Sequence, residues 1–444
     1  MLYDMPEESH QWELHDSLSM HRSCLKSLYL NALPQADTPL DVIDEMNFTL
    51  LNKNPTENSA KDLFNLGRCY EQGVVVQSYK NAIYYYQLSA EKGEARAQIK
   101  LGNAFSFGLL GLQVSYEKAL SYYQQLKDKS SASIQFAMGF CYEFCQGDEK
   151  KLEKAFEYYR LSADQGFDLA QYCLGDAYRC GTGVNKDHFK AAQYYKLAAN
   201  QGLAAAQYHL GMAYEYGRGV DRDIYIAIEY YKLAADQEYP SAQYCLGELY
   251  RKGKGVDQNF DIAMKYYKLS AAQEYASAYN ALGVAYEFGE GVEIDLFLAK
   301  MYYQLATERG SFRAQFNLGQ LYEYGIGVCV DYFKAVKYYK IAADEGIMGA
   351  QLALGNFYIN AQGVEKDVAK AINYYKLAGD QGEVLALYNL GQIYENDSVN
   401  QSFVEAVKYY KLAADQGLEV AQYRLDNLKR LMKFKAIAKP SKFK

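Results

Sequence analysis

The chain has 444 residues, about three times the size of a usual single-core domain, so it either divides into several domains or is built by repetition. Its formal net charge of -7 is modest for this length and does not indicate a protein devoted to nucleic acid. The N-terminus lacks a basic stretch followed by an apolar one, no run of 18 apolar residues occurs, and the cysteines are scattered. These features predict a soluble, cytoplasmic protein, although they do not exclude secretion without a cleaved signal.

The first predicted element is an N-terminal helical cap, residues 1–59. Residues 36–58 resemble half of the repeat described next, with Leu50 and Leu51 where that repeat has a tyrosine pair, whereas residues 1–35 match no part of it. Terminal segments of repeat proteins commonly act as caps. We therefore expect this segment to close one end of the array.

Residues 60–428 contain ten full copies of one repeat. A Leu-Gly or Met-Gly step recurs every 35 to 37 residues, with its glycine at Gly67, Gly102, Gly139, Gly175, Gly211, Gly247, Gly283, Gly319, Gly355 and Gly391. A tyrosine pair has the same period and begins at Tyr85, Tyr122, Tyr158, Tyr194, Tyr230, Tyr266, Tyr302, Tyr338, Tyr374 and Tyr409. Two independent markers of one period predict a repeat protein.

Each repeat is predicted to form two amphipathic helices, A and B. The helix A face in the fourth repeat comprises Ala170, Leu174, Ala177 and Tyr178, at the i, i+4, i+7, i+8 spacing of one helical face. The helix B face comprises Ala191, Tyr195, Ala198 and Ala199. One such hairpin would leave a large apolar face exposed, so the copies must stack. The predicted fold class is an all-α solenoid.

Helix B carries its own start and stop signals. Nine repeats place an N-cap side chain eight residues before the second tyrosine, and Lys151 is the exception. Those nine residues are Ser78, Ser115, Asp187, Asp223, Asn259, Asp295, Asp331, Asp367 and Ser402. Glycine follows helix B in seven repeats, where a left-handed C-cap is expected, and Glu238 and Glu274 replace it in two.

Helix A carries a glycine in all ten repeats, although glycine inside a helix costs about 1 kcal/mol relative to alanine. Close approach between helices A and B offsets this cost if the tyrosine rings pack into the space beside the glycine. We therefore expect the Leu-Gly glycine and the tyrosine pair to meet.

The stretch AQYCLGELYRKGKGVDQNFDIAMKYYKLSAA, residues 242–272, resembles the Sel1-like repeat, a relative of the tetratricopeptide repeat with a longer, glycine-bearing loop. Five complete copies of that loop begin at Gly181, Gly217, Gly253, Gly289 and Gly325. The resemblance covers about residues 60–428. It implies a right-handed α-solenoid of about ten repeats, whose A helices line a concave groove that holds protein partners.

Three positions of helix A have no common chemistry among the copies: two before, one after and five after the Leu-Gly glycine. They form a stripe at i, i+3 and i+7, opposite the predicted packing face, so we expect them to be exposed. The predicted partner-binding residues of the middle repeats are Cys173, Asp176, His209, Met212, Tyr216, Cys245, Glu248, Lys252, Val284, Phe288, Asn317, Gln320 and Tyr324. The alternative is that these positions are exposed and vary in sequence because no function constrains them.

The sequence gives little support to catalysis or cofactors. Cys173, His209 and Cys245 share a repeat position, but zinc needs donors within about 2.0 to 2.3 Å of one point, and neighbouring helices lie about 8 to 10 Å apart. Ser115 and Lys118 match the S-x-x-K motif of penicillin-recognising enzymes, yet Ser115 stands at a cap position and no S-D-N or K-T-G motif follows. We predict no metal, no cofactor and no small-molecule substrate.

Beyond the last full repeat, residues 421–428 begin an eleventh helix A in which Asp426 replaces the glycine. The tail from Lys429 to Lys444 carries seven positive charges, no acid and interleaved apolar residues. It is interpreted as a solvated end, and contact with anionic lipid or nucleic acid is the alternative.

The sequence as a whole predicts a non-catalytic scaffold or adaptor that binds proteins or peptides along its helix A groove. A secreted effector that uses the same solenoid on host proteins is the alternative, and a β-lactam-recognising hydrolase resting on Ser115 is a third hypothesis.

Overall fold

The computed structural model describes residues 25, 29, 58–74, 76–145, 149–396 and 401–437. Within these residues it contains 21 helices and no strand, which confirms the predicted all-α repeat fold. They fall into two compact units, Met1–Ala242 and Gln243–Lys444. Of the predicted N-terminal cap only residues 25, 29, 58 and 59 are described, and the rest of it lies outside the described residues.

Helices A and B alternate along the chain as predicted. The A helices are α1 Ala60–Gln72, α3 Ala95–Phe107, α5 Ala132–Phe144, α7 Asp168–Cys180, α9 Ala204–Tyr216, α11 Pro240–Lys252, α13 Ala276–Phe288, α15 Phe312–Tyr324, α17 Met348–Asn360, α19 Val384–Asn396 and the closing α21 Glu419–Ile437. The B helices are α2 Tyr79–Glu91, α4 Tyr116–Gln125, α6 Glu149–Ala163, α8 His188–Asn200, α10 Ile224–Asp236, α12 Phe260–Ala271, α14 Leu296–Glu308, α16 Tyr332–Asp344, α18 Val368–Asp380 and α20 Phe403–Asp415.

The second tyrosine of each pair forms the centre of its repeat. In repeat 8, the Tyr339 ring is 1% exposed, and a Cβ placed on Gly319 would lie 2.5 Å from its Cε1 atom. A Cβ would come closer than 3.0 Å to the corresponding ring in all ten repeats. The helix A glycine is therefore required by the tyrosine ring that covers it, as the sequence predicts.

The predicted ends of helix B are also confirmed. All nine N-cap side chains accept a hydrogen bond from a backbone N–H of the first turn. Beyond helix B, the seven glycines have positive φ angles, and Glu238 and Glu274 adopt the same left-handed conformation at φ 61°. These two glutamates carry the strain that glycine avoids elsewhere.

The glycine-bearing loop packs closely against the preceding repeat. Its second glycine lies on the first turn of the preceding helix B: in repeat 5, a Cβ on Gly219 would overlap the backbone carbonyl of His188. Gly363 in repeat 9 lies against Tyr332 in the same way. These loops therefore allow close packing between consecutive repeats.

The closing helix is longer than the sequence predicts. α21 runs to Ile437, so the first nine residues of the basic tail continue this helix. Lys429, Arg430 and Lys433 are exposed along it. The side chains of residues 434–437 and all of residues 438–444 lie outside the described residues.

Candidate functional site

Every tyrosine at a repeat centre donates its hydroxyl hydrogen to a side chain of helix A in the same repeat, at 2.5 to 2.7 Å. In six repeats the acceptor stands four residues after the glycine, at Glu71, Glu143, Glu215, Glu287, Glu323 and Glu395. In the other four it stands one residue after the glycine, at Asn103, Asp176, Glu248 and Asn356. The helix A positions one and four residues after the glycine are thus alternative acceptors for the tyrosine hydroxyl.

Where the acceptor near the glycine is acidic, an arginine occupies the other position. Arg179 binds Asp176 at 2.9 Å, and Arg251 binds Glu248 at 3.1 Å. Burial opposes ionisation of Glu248, but Arg251 and Lys252 outweigh it and lower the pKa of Glu248 to about 2. Glu287 has a pKa above its usual value because burial outweighs the hydrogen bond from its tyrosine.

The prediction of a uniformly exposed stripe is wrong at the positions two before and one after the glycine. Cys173 and Asp176 are only 3% and 9% exposed. The His209 ring stacks on Tyr195, with 5.3 Å between ring centroids, and Asn317 donates to Asn280 of the preceding A helix at 2.9 Å. The first position faces neighbouring tyrosine rings or the preceding A helix, and the second provides the hydroxyl acceptor in four repeats.

The position five after the glycine is the most exposed part of the predicted stripe. Phe288 is 53% exposed, Tyr324 is 63% exposed and Lys252 is also exposed. Tyr216 is half-buried, with the Arg218 guanidinium 5.2 Å from its ring centroid. The remaining predicted residues are half-buried: Met212, Cys245, Glu248, Val284 and Gln320.

A second set of exposed aromatic side chains lies on the B helices, and sequence reasoning missed it. Phe189, Tyr225, Phe297 and Phe333 are 61%, 70%, 70% and 78% exposed, and each stands two residues after a helix B N-cap. An apolar residue at this constant distance from the cap was the signal available in the sequence.

The A helices of repeats 2 and 3 carry an aromatic cluster that Leu25 and Tyr29 join. Phe107, Phe136 and Phe140 are buried there, and the ring of Tyr29 lies 5.3 Å from Phe107 and 5.2 Å from Phe136. Leu25 is fully buried in the same cluster. Residues 1–35 carried no sequence signal for this contact, because they match no part of the repeat.

The S-x-x-K motif has a structural explanation. The Ser115 hydroxyl accepts a hydrogen bond from the backbone N–H of Lys118, and the Lys118 ammonium lies 5.3 Å from the centroid of the Phe105 ring. The same lysine position lies over Tyr178 in repeat 4. Ser115 therefore caps helix B, and Lys118 covers an aromatic ring of the same hairpin.

Among the described residues there is no cluster of three metal-binding side chains and no helix long and apolar enough to cross a membrane.

Comparison with known proteins gives a consistent result. The model of the Sel1 repeat matches residues 60–94, 95–131, 132–167, 168–203, 204–239, 240–275, 276–311, 312–347, 349–383 and 384–418. The solved structure of c5321, a protective antigen of uropathogenic Escherichia coli with an SLR fold, is 27% identical, covers 88% of this chain and 74% of its own, and has a TM-score of 0.54. A Sel1 repeat protein from Oxalobacter formigenes is 33% identical over 52% of this chain and 92% of its own, with a TM-score of 0.49. No curated protein matches the chain.

Proposed function

Because the chain belongs to the Sel1 repeat family, we propose that it is a non-catalytic, cytoplasmic scaffold or adaptor that binds partner proteins through the exposed part of its A helices. Sel1 repeat proteins generally mediate protein–protein interaction. The observation that carries the proposal is the exposure of Phe288 and Tyr324 at the same position of consecutive repeats. Exposed aromatic side chains among polar neighbours are typical of the central contacts of protein interfaces.

The use of the polar side chains supports a non-catalytic role. All ten hydroxyl acceptors of the A helices are engaged by the tyrosines of their own repeats, and Ser115 caps a helix. Each of these polar groups therefore has a structural explanation, and none needs a catalytic role to account for its presence. These groups instead hold the hairpins together.

Affinity capture with the full-length chain tests the proposal. The Phe288→Ala/Tyr324→Ala variant removes the exposed A-helix aromatics, and Phe297→Ala/Phe333→Ala removes two still more exposed B-helix aromatics as the control. We expect quantitative mass spectrometry to show a defined set of proteins lost with the first variant and kept with the control. Identical sets from wild type and the first variant would refute the proposal, and loss only with the control would assign binding to the B helices.

A secreted effector that engages host proteins is the second candidate. The similarity to c5321, described as a protective antigen of a pathogen, favours it. A translocation reporter fused to the chain tests this alternative: signal inside host cells supports an effector, and retention of the reporter in the producing cell supports the cytoplasmic scaffold.

A further inference from the structure

The N-terminal segment places two apolar side chains on the helix A surface of repeats 2 and 3. Leu25 and Tyr29 are both helical and stand four residues apart in the sequence, the spacing of neighbours on one face of a helix. Leu25 is 0% exposed and Tyr29 is 2% exposed. These values are typical of core residues, although both residues precede the repeats in the sequence.

Aromatic rings enclose the Tyr29 side chain. Its ring is stacked on Phe136 at an interplanar angle of 27° and tilted by 37° against Phe107, and its hydroxyl donates to the backbone carbonyl of Ser133 at 3.3 Å. Both the apolar ring and the polar end of the tyrosine are therefore accommodated. A tyrosine whose hydroxyl has a partner is a well-suited anchor for a buried contact.

Comparison between repeats shows that this contact lies on the candidate interaction surface. Phe107 stands five residues after the helix A glycine of repeat 2, which is the position of Phe288 in repeat 7. Phe107 is 2% exposed and Phe288 is 53% exposed. The same repeat position is thus buried where Tyr29 packs against it and open in repeat 7.

We propose that Leu25 and Tyr29 form an internal ligand of the helix A surface, and that this surface of repeats 2 and 3 takes an amphipathic helix carrying leucine and tyrosine four residues apart. The proposal rests on the proposed function and names the class of partner: a helical peptide that lays two apolar anchors into a groove. An attached ligand competes at an effective concentration of roughly millimolar, so a free peptide has to compete with the Leu25 and Tyr29 contact for this surface.

Weakening of the Leu25 and Tyr29 contact in the full-length chain tests the proposal. The variant Leu25→Asp/Tyr29→Asp places charges in the aromatic cluster, which disfavours the internal contact. The probe is a fluorescein-labelled peptide of residues 20–34 with Cys24→Ser, measured by fluorescence anisotropy. We expect it to bind the variant at least about tenfold more tightly than wild type. The same peptide with both aspartate substitutions is the matched control and should bind neither protein.

Alkylation of Cys141 provides a second measurement. This thiol is 0% exposed and belongs to the same buried cluster as Leu25 and Tyr29. We expect faster alkylation by iodoacetamide in the variant than in wild type, and renewed protection when the unlabelled peptide is added. Peptide mapping distinguishes Cys141 from the other cysteines.

Three outcomes would overturn the proposal. The first is no difference in peptide binding between variant and wild type. The second is binding of the control peptide. The third is loss of helical structure, by circular dichroism, in both the double variant and the milder Tyr29→Ala variant, because it would make the segment part of the folding core. None of these depends on Phe288 or Tyr324, so the capture experiment on those residues can succeed or fail independently.

Discussion

Replacement of Gly319 by alanine is a direct test of how the repeats are packed. In a solvent-exposed helix this change is stabilising by about 1 kcal/mol, because alanine is the better helix former. Here the new Cβ would lie 2.5 and 2.6 Å from two atoms of the Tyr339 ring, whereas ordinary contacts begin at 3.4 Å. Either the tyrosine ring or the α15 backbone must therefore move by nearly 1 Å.

The surroundings of Tyr339 prevent an easy adjustment. Its ring lies 5.7 Å from both Phe316 and Phe357, and its hydroxyl is bound to Glu323. Overpacking of a well-packed core costs about 1 to 3 kcal/mol, and we place this site near the upper limit because the ring is held on several sides. After the gain in helix propensity is subtracted, we expect a net loss of about 2 kcal/mol.

A double-mutant cycle separates the two contributions. Urea unfolding followed by circular dichroism should show a lower midpoint for Gly319→Ala than for wild type. In a Tyr339→Ala background the ring is absent, so Gly319→Ala should be neutral or stabilising by up to about 1 kcal/mol. A higher midpoint for Gly319→Ala in the wild-type background would refute the assignment of this glycine to ring packing.

Three further predictions concern the glutamates. Glu238→Gly should raise the free energy of unfolding by about 1 kcal/mol, because it relieves left-handed strain of about 1 to 2 kcal/mol and adds a smaller cost in unfolded-state entropy. Glu238→Ala keeps the strain, so urea unfolding should show no gain in stability for it. Glu248→Gln should lower the free energy of unfolding by about 2 kcal/mol at pH 7, because Glu248 has a pKa of about 2 in the folded chain and its ionised form stabilises the fold. This stabilisation is complete above pH 4.5 and is lost as the pH falls toward 2. Glu287→Gln should be stabilising at pH 7 and neutral near pH 4, because the raised pKa of Glu287 makes its ionisation unfavourable in the fold. Urea unfolding measured from pH 3 to pH 7 checks the predictions for Glu248→Gln and Glu287→Gln. A lower free energy of unfolding for Glu287→Gln than for wild type at pH 7 would contradict the raised pKa assigned to Glu287.

The repeat architecture could be predicted from sequence because its markers are local and redundant. The Leu-Gly glycine, the tyrosine pair and the cap of helix B recur with one period, and each has one physical reason. The cap of α8 at Asp187 and the contact of Gly175 with Tyr195 follow from spacing alone. Ten copies of such signals leave little freedom in assigning the fold.

The candidate surface was predicted less well, because variation between copies does not always mean freedom from packing. Asp176 in repeat 4 and Met212 in repeat 5 share a position without common chemistry, yet Asp176 holds a tyrosine hydroxyl. In repeat 5 that task moves to Glu215. Because either of two helix A positions can accept the tyrosine hydroxyl, the residue at each position varies between copies while the hydrogen bond is kept. The placement of Tyr29 could not be predicted either, since it depends on tertiary contacts of a segment outside the repeat pattern.

The tyrosine hydroxyl bond has a consequence for how this chain can change its length. Donor and acceptor belong to one hairpin, as in Tyr231 with Glu215 and Tyr303 with Glu287. In-frame duplication or loss of one whole hairpin through recombination therefore moves both members of the bond together and orphans no buried hydroxyl. Copy number is in this respect open to evolution, because every hairpin that is added or removed carries its own donor and its own acceptor.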